Sequence, residues 1–509
     1  MSTIYPKYSI YAVMFVFIFS VAYAQNTMGT ISGVVLDETG GVLPGVEITA
    51  RNTGTEATRT VISDDEGRYR LPQLDPGTYE LRGELSGFQT SILQDISLSI
   101  AQEIVLAVTL RVGEISERVV VSAEVSLVET TSGTVANLVN SNQVRNLPLN
   151  GRSFIELALL QEGVVAPLAN QRVVNGNTGQ KIVIAGAAPS ENAMLLDGTD
   201  IKNQHGTTPG SIAGVMLGVE TVREFQVLTS AYTAEYGRFS GGVIIAITKS
   251  GTNELHGSLF EYHRNSALDA RNFFDRDFIN WQERSKVPNF IRNQFGFTLG
   301  GPIVEDETFF FGSYEGLRER LTTTNFSNFP SAKAHQGIIP LRFRGRPQCR
   351  GQAVVGRECH LTIPDRMQPY IDLYPIPNGP DNGDGTAQYF YPNSQPTDED
   401  YFVVKIDQKL SENDNFFARY TFSDAESTSV SESVRYSRLE TTRYQYVTLE
   451  EKHIFSPVLL NELRFGFTRS YLDSDEFESP GLGIDPSLYF MPPERARATG
   501  FNAGLGLLN

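Results

Sequence analysis

The reading of the fold turns on Tyr236–Asn253, YGRFSGGVIIAITKSGTN. Its centre, Gly241–Ser250, is a β-branched apolar run opened by a glycine pair and closed by a polar turn. A short continuous apolar run between turn signals is the pattern of a strand buried on both faces. The next segment, ELHGSLFEYHR (Glu254–Arg264), alternates instead. Phe260 and Tyr262 point one way and Glu261 and His263 the other, the period-2 signature of a strand between two different surroundings. The chain therefore passes at once from a compact buried strand into a two-faced one.

The alternation recurs downstream. In NFFARYTFS, Phe416, Ala418, Tyr420 and Phe422 alternate with Asn415, Arg419, Thr421 and Ser423. In NELRFGFTR, Leu463, Phe465 and Phe467 alternate with Glu462, Arg464 and Thr468. Aromatics on one face and charges on the other suit a strand between lipid and a wet lumen. A soluble sandwich also alternates, but rarely with Arg, Glu and Asn so regular on one side. The 31 Phe and 21 Tyr against a single Trp fit aromatic girdles at a membrane interface.

The remaining composition narrows the function. The chain has 509 residues and a net charge of −17, which argues against nucleic acid as a partner, because phosphates need a basic face. The first residues, MSTIYPKYSIYAVMFVFIFSVAYAQ, carry one basic residue, an apolar segment and Ala22-Tyr23-Ala24 before Gln25. That is a signal peptide cleaved behind residue 24; an uncleaved anchor would need a longer apolar segment. No later stretch is apolar enough for a helical span, so a membrane-spanning structure here would be a barrel. Cys349 and Cys359, the two cysteines, are expected to form a disulfide in an exported protein. DNGDGT (Asp381–Thr386) has Pro392 where a calcium loop would place its glutamate, and reads as a turn. The sequence has no G-x-S-x-G, H-E-x-x-H, P-loop or dinucleotide fingerprint, and no enzyme, cofactor or metal site is expected.

Residues 28–112 hold short strands at regular spacing, with turns at Gly40-Gly41, Pro44-Gly45, Asp64–Gly67 and Pro76-Gly77, the pattern of an all-β sandwich. Residues 113–136 read as a polar linker around ERVVVSA. In residues 137–250, Phe154, Leu157, Ala158 and Leu160 share a helical face with Ser153 as cap, and Ile182–Ala185, Ala193–Leu196 and Glu224–Leu228 read as strands. Residues 321–400 are rich in Pro and poor in alternation, and read as a long loop with one or two strands.

Two resemblances sharpen this reading. Gly33, Val35, Asp37, Gly40, Leu43-Pro44-Gly45, Gly67, Tyr69, Leu71, Leu74, Pro76-Gly77, Tyr79 and Gly87-Phe88 resemble carboxypeptidase regulatory-like domains, which implies an Ig-like, prealbumin-like sandwich of a carbohydrate-binding-like fold. NLPLNGRSFIELALLQEGVV, NAMLLDGTDIKN, VREFQV and AEYGRFSGGVIIAITKSGTNELHGSLFEYHRNSALDARNFF resemble the plug and first barrel strand of Oar-like TonB-dependent outer-membrane receptors. QKIVIAGAAPSEN departs from the Arg-containing segment usual there. The implied plug motifs are Asn150, Gly151, Arg152, Asp197, Gly198, Glu235, Gly237, Gly241 and Gly242. In such receptors the last plug strand passes straight into the first barrel strand. Glu117, Arg118, Val119, Val120, Val121, Ser122 and Ala123 resemble a TonB box; the alternative is a further strand of the sandwich.

The expected architecture is mainly β: a signal peptide (1–24), the sandwich (28–112), the linker (113–136), an α/β plug (137–250) and part of an antiparallel transmembrane β-barrel (251–509). Family members have 22 strands, and the residues after Asn253 hold roughly eight to twelve, so the chain reads as a fragment or truncated product. The implied function is TonB-dependent uptake through the outer membrane of a Gram-negative bacterium. The implied partners are a TonB-type periplasmic energy protein, outer-membrane lipid and a ligand that is a peptide, protein, glycan or metal chelate. The rivals are an adhesin or assembly protein whose sandwich binds carbohydrate or protein, and a secreted soluble β protein.

Overall fold

The computed structural model describes residues 27–113, 118–122, 135–140, 143–144, 152–153, 155–166, 181–203, 209–213, 217–230, 232, 236–270, 289–341, 349, 352–430, 434–456, 459–479 and 485–488. The leader, Glu117, Ala123, Asn150, Gly151, Phe154 and Glu235 lie outside these residues.

The first unit is a two-sheet sandwich. One sheet contains β1 (Gly29–Asp37), β4 (Arg68–Leu74), β7 (Glu103–Val105) and β8 (Val108–Leu110). The other runs β3 (Thr58–Ile62), β2 (Glu47–Asn52), β5 (Gly77–Glu84), β6 (Thr90–Leu98), β9 (Arg118–Ser122). Alternate residues of both sheets, including Ile31, Val35, Ile48, Leu71, Leu81 and Ile96, form the core between them. β7 and β8 both pair parallel to β1, which alternation alone does not reveal. β9 lies parallel to β6, from Thr90↔Arg118 to Gln94↔Ser122.

The central unit is a five-stranded sheet in the order β10 (Val135–Val139), β15 (Val222–Ser230), β16 (Val243–Thr248), β13 (Ala193–Leu196), β14 (Thr199–Asp200). A small pair, β11 (Val164–Val165) and β12 (Val183–Ile184), flanks it. β16 is central, antiparallel to β15 and parallel to β13, and all six of its residues are buried. This is why VIIAIT is continuously apolar: neither face meets water. The helix predicted around Leu157 is one turn, Ile155–Ala158. Leu160 is exposed rather than packed, because the helix ends before reaching it. The Ser153 hydroxyl makes no hydrogen bond among the described residues, so it does not cap.

The third unit is a seven-stranded antiparallel sheet, in sequence order: β17 (His256–Asn265), β18 (Phe290–Val304), β19 (Thr308–Pro330), β23 (Thr386–Lys409), β24 (Asp414–Val430), β25 (Tyr436–Ser456) and β26 (Leu459–Glu478). Between β19 and β23 lies a small sheet of β20 (Ile338–Pro340), β21 (Ala353–Val355) and β22 (Glu358–His360). Cys349 and Cys359 are joined by a disulfide there. The register stacks side chains in rows. Leu259, Phe297, Tyr314, Phe402 and Phe422 form one. Leu299, Gly312, Val404, Tyr420, Val447 and Phe467 form the next. Phe310, Ile406, Ala418, Leu449 and Phe465 form a third. These rows make an apolar band on the outer face. The opposite face meets the central unit, whose core cluster includes Tyr444 and Tyr446 of the wall.

Two further expectations need correction. Phe260 and Tyr262 do not join the apolar band. They share the inner face with Glu315 and Tyr401, where the Arg152 guanidinium lies over both rings at 4.6 and 4.3 Å. Aromatics here cover a cation rather than face oil. The long loop is also shorter than 321–400, because β19 continues to Pro330 and β23 starts at Thr386, paired with each other from Leu321↔Gln395 to Pro330↔Thr386. That extension mixes Thr, Ser and Asn with aromatics on both faces, Phe326 against Phe390 on one and Phe329 against Tyr389 on the other, and so shows no alternation.

Lys249–Asn253 carries the chain from β16 to the wall. A Cβ at Gly251 would run into the Phe310 and Gly301 carbonyl oxygens. Gly251→Ala is expected to destabilise the protein by about 1–3 kcal/mol, read as a lower denaturant midpoint in detergent; an unchanged midpoint contradicts this packing.

Candidate functional site

The site is the seam between the central unit and the wall's inner face. Its hub is the Asp197-Gly198 turn between β13 and β14. Asp197 and Gly198 both have positive φ, 44° and 72°, which an Asp-Gly pair tolerates. The turn aims the Asp197 carboxylate into the seam. Oδ1 accepts the Thr248 backbone N–H at 2.9 Å and Oδ2 accepts the Thr248 hydroxyl at 2.8 Å. Oδ2 also takes Arg419 Nη1 at 2.8 Å. Arg419 projects from β24 and is fully buried; its Nη2 donates to Thr448 at 2.7 Å. Thr448 in turn meets Thr199 at 2.7 Å. Gly198 suits the turn by its positive φ, and a Cβ there would also force the Arg464 guanidinium to shift.

Burial alone would push the Asp197 carboxyl up. The charges of Lys405 and Arg419 and the two Thr248 hydrogen bonds outweigh it and hold the carboxyl below its ordinary value.

Further polar ties surround this hub. Arg152 pairs with Glu220 at 2.8 Å and lies 3.7 Å from Glu315 of the wall. Glu315 accepts from the Gly218 N–H at 2.9 Å and from Gln294 at 2.7 Å. Glu399 accepts from Ser211 at 2.5 Å and from Ser423 at 2.9 Å. Thr468 donates to the Asp200 carbonyl at 2.7 Å. Gly241 and Gly242 pack where a Cβ would strike Asn192 or Ile184, so they let β16 and its entry turn close on β13; Gly237 lies in the preceding turn.

The sandwich docks beneath. Ile100 N–H donates to Glu224 at 2.6 Å, Asn253 N–H to the Gly54 carbonyl at 3.1 Å, and Lys452 of the wall reaches Asp75 at 2.8 Å. Glu450 links Lys452, at 3.2 Å, to Arg464, at 2.7 Å. A cavity of about 310 Å³ opens where the three units meet.

Arg152, Asp197 and Gly198 are thus brought together on the seam, while Arg118–Ser122 lies on the far edge of the sandwich sheet and the cysteine pair in the small sheet region. Sequence reasoning missed the wall's half of the seam: Glu315, Glu399, Arg419 and Thr448. Their one signal was the polar set of the alternation, to which Arg419 already belonged. For metals, Asp414, Glu451 and His453 offer ligand atoms within 4.8 Å of one another. Asp414, however, is already engaged by His453 Nδ1 and Ser411, each at 2.5 Å, which makes a hairpin staple. In DNGDGT, Asp381 and Asp384 accept hydrogen bonds from the backbone N–H groups of Gly383 and Thr386, as a turn requires.

A family model described as outer membrane beta barrel domain matches residues 247–505. The chain belongs to this family. A second model, carboxypeptidase regulatory-like domain, matches residues 30–111. The chain is similar to the TonB-dependent transporter Oar of Myxococcus xanthus, 31% identical over 305 residues, covering 58% of this chain and 27% of that one. It is similar also to the probable TonB-dependent siderophore receptor PirA of Acinetobacter baumannii, 26% identical over 187 residues, covering 34% and 22%. Among solved structures, the outer membrane transporter YddB from Escherichia coli aligns over 63% of this chain and 37% of its own, at 14% identity and a TM-score of 0.40. The chain spans about a quarter of the length of the curated relatives it matches. The apolar rows on the outer face are accordingly the lipid-facing surface of an outer-membrane barrel wall.

Arg419→Met takes from the buried Asp197 carboxylate the guanidinium it contacts, leaving it the Thr248 hydrogen bonds and the charge of Lys405, and is expected to cost about 3 kcal/mol. Adding Asp197→Asn should recover much of the loss, and a double mutant no better than the single one contradicts the pairing. Because the folded Asp197 value is depressed, its contribution is present above the unfolded value, near 3.9, and is lost as pH falls through the folded one. The protection factor of the Thr248 amide, its exchange rate compared with that of the unfolded chain at the same pH, should therefore drop only below about pH 4; a loss of protection as pH falls from 7 to 5 contradicts the assignment.

Proposed function

We propose that the chain is the plugged part of a TonB-dependent outer-membrane transporter, with residues 137–250 as its plug. The observation that carries this reading is the polar seam. The central unit is tied to the wall through buried ion pairs and hydroxyls, most tightly at Asp197–Arg419. Water can replace such ties group by group when the plug shifts, whereas an equally large apolar seam would expose surface that water rejects. A leader cleaved behind Ala24 delivers the chain to the outer membrane.

The segment Glu117–Ala123 serves as the TonB box. Its described part, Arg118–Ser122, is a strand at a sheet edge, and no other described strand pairs with its second side. An exposed edge accepts an extended strand from a periplasmic partner through backbone hydrogen bonds. The energy protein adds there, pulls, and releases the plug. The ligand is a peptide, protein, glycan or metal chelate bound from the exterior, and the chain carries out transport rather than catalysis.

A photo-crosslinking residue at Val120 is expected to capture the TonB-type energy protein in living cells. Deleting Glu117–Ala123 should abolish capture and energised uptake while leaving the protein assembled in the outer membrane. Capture that survives the deletion places the box elsewhere.

A further inference from the structure

Arg223 lines the cavity where the sandwich, the central unit and the wall meet. A β-bulge puts it there. Val222 pairs with Thr248 and Glu224 with Ile247, so Arg223 is the extra residue of β15, and a bulge re-aims the side chain it carries. Among the described residues its half-buried guanidinium makes no hydrogen bond and no ion pair. Asp75 and Glu224 feel its charge, but Asp75 is held by Lys452 at 2.8 Å and Glu224 by the Ile100 N–H at 2.6 Å. The other carboxylates of the lining have their own partners: Asp197 has Arg419, Asp306 has Asn253, Asp407 has Lys405 and Glu450 has Lys452. Lys409, the remaining cation of the lining, pairs with Glu412. Arg223 is therefore the lining cation that has no acceptor of its own.

A gap lies beside it. A Cβ on Gly77 of the sandwich would stand 2.6 Å from Asn52 Nδ2 and 3.7 Å from Arg223 Nη2. Donors from two different units thus converge on the space that a side chain at Gly77 would fill. Asn52 Oδ1 is taken by the Gly54 N–H at 2.9 Å. Its Nδ2 has two N–H groups and shares one with the Tyr79 hydroxyl. Pro76, Ile247 and Phe309 give the same cavity apolar walls.

We propose that this cavity binds a small organic carboxylate, with its oxygens on Arg223 and Asn52 and its apolar body against Ile247 and Phe309. A guanidinium fork meets a carboxylate with two parallel hydrogen bonds, and one unmatched cation calls for one negative charge. The volume, about 310 Å³, lies at the small end of ligand pockets. The bound carboxylate touches Asn52 and Gly77 of the sandwich and Arg223 of the central unit. It bridges the two units and holds the sandwich docked.

The test uses the full chain purified from outer membranes in detergent. The probe is phenylacetate, and phenylacetamide, its uncharged analogue, controls for partition into micelles. Calorimetric titration is expected to show saturable binding of phenylacetate, half-complete at about 1 mM or below, and binding of the amide at least about tenfold weaker. Arg223→Met, which removes no hydrogen bond from the fold, and Gly77→Ala, whose methyl group fills the gap, should each weaken phenylacetate binding about tenfold or more. If Gly77→Ala does not assemble, Arg223→Met decides. At about ten times its half-saturating concentration, phenylacetate should slow exchange of the Ile100 amide, which docks the sandwich on Glu224, by about tenfold. Equal binding of acid and amide, no saturation by either, or wild-type affinity in Arg223→Met overturns the inference and leaves the transport reading intact. Unchanged Ile100 exchange in the saturated protein overturns the bridging role.

Discussion

One buried guanidinium organises the seam. Arg419 stands on the wall with no exposure to water and reaches both Asp197 of the central unit and Thr448 of the next strand. Removing a charge from water costs several kcal/mol, and its partner returns that only at the right geometry. A central unit rotated or raised by a few ångströms would strand both charges. The pair therefore works chiefly as a register pin. It fixes where the unit sits in the wall, and through the Thr248 hydrogen bonds it also fixes the end of β16, the strand from which the wall begins.

The same logic extends downward. Glu450 joins Arg464, which crowds the Gly198 turn, to Lys452, which holds Asp75 of the sandwich. One run of alternating charges thus passes through the wall from the central unit to the sandwich. The three units are read best as one mechanical assembly, in which displacing the sandwich disturbs the contact that holds the turn. The apolar band on the outer face belongs to a separate requirement, solvation by lipid, and shares no side chains with the seam because strand alternation keeps the two faces apart.

Much of this was legible in the sequence, for particular reasons. VIIAIT announced a doubly covered strand, and NFFARYTFS and NELRFGFTR announced a wall with their faces correctly assigned. β17 was misread because its aromatics cover Arg152, a contact set by a residue about a hundred positions earlier. The hairpin extension of β19 and β23 escaped notice because its aromatics fall on both faces, Phe326 against Phe390 on one and Phe329 against Tyr389 on the other, so no alternation shows. The parallel pairing of β7 and β8 with β1 was hidden for a different cause: partner choice is not written in alternation. The Asp197-Gly198 turn was read as a turn and a plug motif, not as a contact with the wall. The wall's side of the seam was not read at all, since an inner-face Arg among Thr and Ser looks like any lumen residue until its partner is placed.

The account's central claim is that residues 137–250 sit inside the wall formed by the residues that follow. Thr199 and Thr448 touch across that seam, hydroxyl to hydroxyl at 2.7 Å. Replacing both by cysteine and oxidising isolated outer membranes tests the claim directly. The account predicts rapid disulfide closure in the membrane fraction and none in either single-cysteine variant. Failure of the pair to close in a membrane-assembled protein, or its closure only after solubilisation and unfolding, would contradict it.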